Sequence, residues 1–156
     1  MRENYYVTLL KQGRVQEFNR KKPPVVDLRW VDLSNCDLRG VQLSGADLRK
    51  TNFSGANLTQ VNLRGAILDQ ADLSGAVLRQ ANLCRATLNQ TILRGADLRE
   101  AYLREAQLCG ADLRNAILDN ALLIDADMRG VSLSSEQAHC IVADEFCPQR
   151  ASRQAA

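Results

Sequence analysis

The sequence predicts an all-β solenoid, a β-helix whose sides are five residues long. Three observations carry that expectation. From Val26 to Ser135 the chain divides into 22 consecutive blocks of five, with no insertion or deletion. The third residue of the block is Leu in 20 of them, with Phe53 and Met128 in the other two. The first residue is Ala in 14 blocks, Val in five, Thr in two and Cys in one.

The regular alternatives fail on period. A step of five residues rotates by about 140° on an α-helix, so the Leu column would spread around the whole surface. Glycines at 40, 45, 55, 65, 75 and 95 would also weaken a helix repeatedly. A plain strand alternates every two residues, which five does not match. The pattern calls for a short extended piece and then a bend. Leu and the small residue two before it then point inward. Four such sides close a coil of 20 residues. Coils stacked about 4.8 Å apart satisfy one another's backbone groups. The 22 blocks make five and a half coils, roughly 26 Å long at that spacing.

Composition agrees. Apolar residues are 46% of the 156 residues but aromatics only 4%, material for a narrow core of one repeated packing unit. The formal charge is +2, from 20 basic and 18 acidic groups, and favours neither a nucleic-acid binder nor a polyanion mimic. Residues 1–25 hold six basic and two acidic groups, with a short basic run at Arg20, Lys21 and Lys22. Residues 26–135 hold twelve and thirteen. No stretch approaches the roughly 20 apolar residues of a bilayer span, and the first residues have no signal-like apolar core. A cytoplasmic location is the resulting expectation. The five cysteines show no compact disulfide framework, which agrees with it.

Blocks such as ADLRK (46–50), ANLTQ (56–60) and ADLSG (71–75) follow an A(D/N)LXX pattern that resembles the pentapeptide-repeat family. The resemblance covers 26–135. It implies a right-handed, quadrilateral β-helix with four blocks per coil. A rigid rod without a pocket is expected to be a non-enzymatic structural or protein-interaction scaffold of unknown specific role, and the resemblance implies a family in which some members act through protein contacts. An alternative from the same resemblance is a DNA-mimicking inhibitor of type II topoisomerase (gyrase), a quinolone-protection protein. The near-neutral repeats, the prominent Arg and the absence of an inserted loop fit that alternative poorly.

The ends need covering, because an open coil exposes unpaired backbone and core. Residues 1–25 are expected to form a partly helical cap and linker. Helical turns over Tyr5–Lys11 would stop near Gly13, and Phe18 would open a degenerate coil. Residues 136–156 are expected to form a capping helix and a polar tail. Ser134 or Ser135 would cap that helix, and Ile141, Val142 and Phe146 would cover the last coil.

Function is expected in departures from the repeat. Stacking at 20 residues places Arg79 above Arg99 and Arg94 above Arg114, and sets Cys84 between Arg64 and Arg104. Arg columns of this kind can receive carboxylates or phosphate oxygens. The second position is usually Asp or Asn, which can accept backbone hydrogen bonds near the turn. It is apolar at Ile67, Val77, Ile92, Tyr102, Ile117 and Leu122. Tyr102, Ile117, Leu122 and Ile124 are the candidate patch for a partner protein or a weak homodimer, the monomer being the other expected state.

Catalytic chemistry is not expected. His139 is the only histidine, and its grouping with Cys140, Asp144 and Cys147 matches no compact zinc spacing. The repeated Asp positions form no single acid–base pair, and an unbroken register supplies no loop to build a cleft. No cofactor or metal is predicted, and nucleic acid is not a favoured partner.

Overall fold

The computed structural model describes residues 4–137. Two short helices come first, α1 (Tyr5–Lys11) and α2 (Val15–Lys21). The five-residue repeats follow, and residues 135–137 are helical.

The repeat works because nearly every backbone donor in it has a defined acceptor. In the first block, Leu28 N–H donates to Asp47 C=O at 2.9 Å, 19 residues ahead, and Trp30 N–H to Arg49 C=O at 3.2 Å. Asp47 N–H returns to Val26 C=O at 2.9 Å. Val31 N–H closes the turn on Leu28 C=O at 3.1 Å. The remaining donor, at the fourth position, goes to the second-position side chain: Arg29 N–H to Asp27 Oδ1 at 3.1 Å, Ser54 N–H to Asn52 Oδ1 at 3.0 Å. A buried or half-buried wall of this kind needs such complete satisfaction. It explains why Asp and Asn recur at the second position.

The fifth residue of every block from Trp30 to Gly130 has positive φ, between 56° and 69°. With a three-residue hydrogen bond and negative φ before it, each corner is a type II turn. Thirteen of these corners carry a residue other than Gly. Some are held by side-chain columns: Gln60 donates to Gln80 at 3.0 Å, Gln80 to Glu100 at 2.7 Å, and Gln70 to Gln90 at 3.0 Å.

The expected all-β solenoid, the right-handed quadrilateral β-helix, is not what forms. Among the described residues there is no β-strand and no sheet. Blocks pair only through their second residues, in isolated parallel bridges such as Asp27–Asp47 and Tyr102–Leu122. The physical reason is the turn. Positions four and five are spent on it, so only one residue per block pairs on both sides before the chain bends away. The architecture is a stack of turn-rich coils in which residues 20 apart are neighbours.

The core runs along the stack. Leu and Ala at the third and first positions are almost completely buried from Leu28 to Ala121. Thr51 and Thr91 stand in for Ala and are also buried; their hydroxyls donate to Leu28 C=O at 2.7 Å and Leu68 C=O at 3.0 Å. Each therefore brings its own polar partner into an apolar column.

At the N-terminal end, Asn4 caps α1 by accepting Tyr6 N–H, and Gly13 at φ 67° breaks the helix from α2. Phe18 does not open a coil. It lies in α2, fully buried, and joins Val7, Leu9 and Leu10 to the repeat core. Glu17 holds the two helices together by accepting from Tyr5 Oη at 2.8 Å and Lys21 Nζ at 2.9 Å. Arg14 binds the same carboxylate. Lys21 first, then Tyr5 and Arg14, hold the Glu17 carboxyl down at about 2.

Both ends of the ladder carry a side-chain amide. Asn19 accepts Gln42 N–H at 2.9 Å and donates to Gly40 C=O at 3.2 Å. Gln137 accepts Asn115 N–H at 3.1 Å and Ser134 N–H at 2.9 Å, and donates to Leu113 and Ala116 carbonyls at 3.0 and 2.8 Å. Ser134 and Gln137 have the spacing and the reciprocal bonds of a capping box. Ile141, Val142 and Phe146 lie outside the described residues.

Candidate interaction surface

The second-position side chains face outward between the buried first and third residues, so an apolar residue there is presented to solvent. Tyr102 and Leu122 are partners in a parallel bridge. They are 46% and 40% exposed, and Ile124, in the same block as Leu122, is 39% exposed. Ile117 is 40% exposed on the adjoining side. Ile92, on the opposite side of the coil from Tyr102, is exposed alone. Ile67 and Val77 are half-buried.

The arginine columns are not rows of free guanidinium groups. Asp97 sits between Arg79 and Arg99, at 3.5 Å from the first and 2.6 Å from the second. Asp112 likewise binds Arg94 and Arg114. Asp47 repeats the arrangement with Arg29 and Arg49, at 3.6 and 2.6 Å. The cause is the block Asp-Leu-Arg. Its Arg folds back on its own Asp two residues earlier, and an Arg one coil away reaches the same carboxylate. Hydrogen bonding from Arg99, opposed by partial burial, holds Asp97 below the usual carboxylate range. Arg129 does the same to Asp127.

Where the second residue is not Asp or Asn, one side uses another device. Asp69 Oδ1 accepts Asn89 N–H at 2.9 Å, and Asn89 Oδ1 accepts Cys109 N–H at 3.2 Å, each across one coil. Thr87, between Ile67 and Gln107 on that side, leaves its buried hydroxyl oxygen without a partner.

Concavities interrupt the surface, two of them among the described residues bearing on the arginines. The larger, about 810 Å³, lies between α2 and the first coil and is lined by Arg14, Arg20 and Arg39 among others. Glu17 and Asp37 line it too and neutralise Arg14 and Arg39. The smaller, about 270 Å³, is lined by Arg64, Cys84, Arg85, Arg104 and Glu105. It brings Arg64, Cys84 and Arg104 together as their 20-residue spacing requires.

Among the described residues, no group of three or more His, Cys, Asp or Glu side chains could hold a metal ion. His139, Cys140, Asp144 and Cys147 lie outside them. Cys36, Cys84 and Cys109 are free thiols. Among the described residues, no helix is long and apolar enough to cross a membrane.

Sequence reasoning missed Asn19, Gln137 and the Arg85–Glu105 pair at 2.8 Å. A signal existed for Gln137 in the Ser-x-x-Gln spacing. None existed for Asn19, whose partner lies 23 residues away.

Comparison with curated proteins produced no match. Among solved structures, the chain is similar to HetL, a pentapeptide repeat protein involved in heterocyst differentiation regulation from the cyanobacterium Nostoc sp. strain PCC 7120. The identity is 34% over 70% of this chain and 54% of HetL, with a TM-score of 0.55. The chain thus spans about half the length of that relative. It is also similar to a pentapeptide repeat protein from the Arabidopsis thaliana thylakoid lumen, 28% identical over 73% of each chain, with a TM-score of 0.56. Residues 27–65, 66–104 and 101–135 match the family model for pentapeptide repeats. With that match over more than half its length, the chain belongs to the pentapeptide-repeat family.

Proposed function

We propose that the chain is a non-catalytic scaffold that binds another protein through the side carrying Tyr102, Leu122 and Ile124. The observation behind this reading is the stacking of Tyr102 on Leu122 in a bridge, both well exposed where most blocks place a polar residue. A contiguous exposed apolar group marks a contact site. Its Tyr and its bordering Arg are residue types enriched in interfaces. Family membership and the lack of a metal-holding group among the described residues fit a non-enzymatic role.

The layout proposed is an N-terminal cap and linker over 1–25, repeats over 26–135 and a C-terminal cap and tail over 136–156. The chain acts as a monomer or a weak homodimer. A cytoplasmic setting belongs to the same proposal and is supported by the free thiols.

The test compares the wild-type chain with Leu122→Asp by affinity capture from native cells and by light scattering. A partner or dimer lost on substitution is the expected result. Identical recovered proteins and identical mass for both forms would overturn it.

A further inference from the structure

We propose that the side carrying Arg64, Arg104, Tyr102 and Leu122 binds an extended peptide segment with acidic residues towards one end and apolar residues towards the other. This rests on the protein-binding scaffold reading and names the chemistry of its partner.

The charge distribution supplies the first reason. The repeats hold twelve Lys and Arg residues. Ten of these are Arg residues with a carboxylate within ion-pair distance. Of the other two, Lys50 sits 4.1 Å over the Trp30 ring. Arg64 alone has neither a carboxylate nor an aromatic partner among the described residues. Its neighbours in the 270 Å³ concavity, Arg85 and Arg104, share one carboxylate, that of Glu105, at 2.8 and 3.3 Å. Three cations therefore face one anion, whereas the larger N-terminal groove sets three against two. The smaller concavity is the place where an incoming carboxylate meets the least competition.

Position along the stack supplies the second. Arg64 and Arg104 are two coils apart, about 9.6 Å at ~4.8 Å per coil. An extended peptide advances about 3.3 Å per residue, so carboxylates three residues apart span that interval. Tyr102 shares a block with Arg104, and Leu122 with Ile124 lies one coil further on. A segment running down this side meets guanidinium groups first and apolar side chains next. In either chain direction, such a segment sets its acidic end on the guanidinium groups and its apolar end on Tyr102 and Leu122. Asp125 beside Ile124 repels an acidic residue at the apolar end.

The experiment is selection from a random twelve-residue peptide library displayed on phage, against the full chain and its Arg64→Glu and Leu122→Asp variants. The wild type is expected to enrich peptides with Asp or Glu three residues apart and Leu, Ile or Phe to one side of them. Arg64→Glu is expected to lose the acidic enrichment and Leu122→Asp the apolar one. A selected peptide should bind Arg64→Glu at least about tenfold more weakly in fluorescence anisotropy. Both substitutions are at exposed positions, and circular dichroism verifies that the fold is kept. Overturning results are peptides without acidic enrichment, equal enrichment on Arg64→Glu, or no enrichment over an uncoated surface. The scaffold reading stands separately if native capture still recovers a partner sensitive to Leu122→Asp but not to Arg64→Glu.

Discussion

Asn19 accepts the backbone N–H of Gln42 at 2.9 Å, supplying from a helix the acceptor that a preceding coil would otherwise provide. Its amide also donates to Gly40 C=O, so one side chain fixes α2 to the first coil through both its functions. Asn19→Ala leaves the Gln42 donor unmatched. The expected loss is about 1 kcal/mol, read from urea unfolding, with faster hydrogen exchange at Gln42. Asn19→Asp keeps the acceptor and forfeits the donor, and should fall between the two. An exchange rate at Gln42 unchanged by Asn19→Ala would refute the role.

Leu78 is fully buried in the middle of the Leu column. Leu78→Ala is expected to cost ~2–5 kcal/mol, because the layers above and below hold the cavity open. Leu133, half-buried at the end of the stack, should cost clearly less on the same substitution. Equal losses in denaturant would mean that the end is as well packed as the middle.

Gly95 sits at φ 63°, and an added Cβ there would meet nothing within 4 Å. Gly95→Ala therefore isolates backbone handedness from packing. We expect a loss of ~1–2 kcal/mol in thermal or urea unfolding, and a smaller one for Gly95→Asn. A neutral Ala variant would show that the corner relaxes out of the left-handed region.

Acid should weaken the fold in a defined window. Hydrogen bonds from Lys21 hold Glu17 at about 2, against an ordinary value of 4.5, and those from Arg29 hold Asp27 at about 2, against 3.8. A carboxylate lowered in the folded state binds fewer protons there than in the unfolded chain. Its contribution is complete above the unfolded value and disappears as pH falls through the folded one. The urea midpoint should decline between about pH 4.5 and pH 2. Glu17→Gln should make that decline shallower, and a curve superimposable on the wild type would count against the pairing.

Much of the repeat was legible in the sequence, because period alone sorts residues into inward and outward. Leu78, Ala76 and Thr51 are buried as their positions demanded. The backbone class was not legible. A five-residue period fixes how often the chain bends, but not whether pairing extends beyond Asp27 or Tyr102 to make a strand. The arginines were half legible. Spacing placed Arg79 above Arg99, but that Asp97 lies between them depends on Arg99 folding back onto its own block. Asn19 was invisible, since a single polar residue outside the repeat carries no periodic signal.

Neighbours lie 20 residues apart, and this couples length to orientation. One extra five-residue block inserted between Arg64 and Cys84 would carry everything after it to the next side of the coil, dividing Arg64 from Arg104. Four extra blocks would restore the side and merely separate the two by one further coil, about 4.8 Å. Gains and losses in multiples of four thus conserve a docking address, while single-block changes rewrite it. Lineages of this chain that alter their repeat number therefore have two distinct routes, one adjusting reach and the other changing partner.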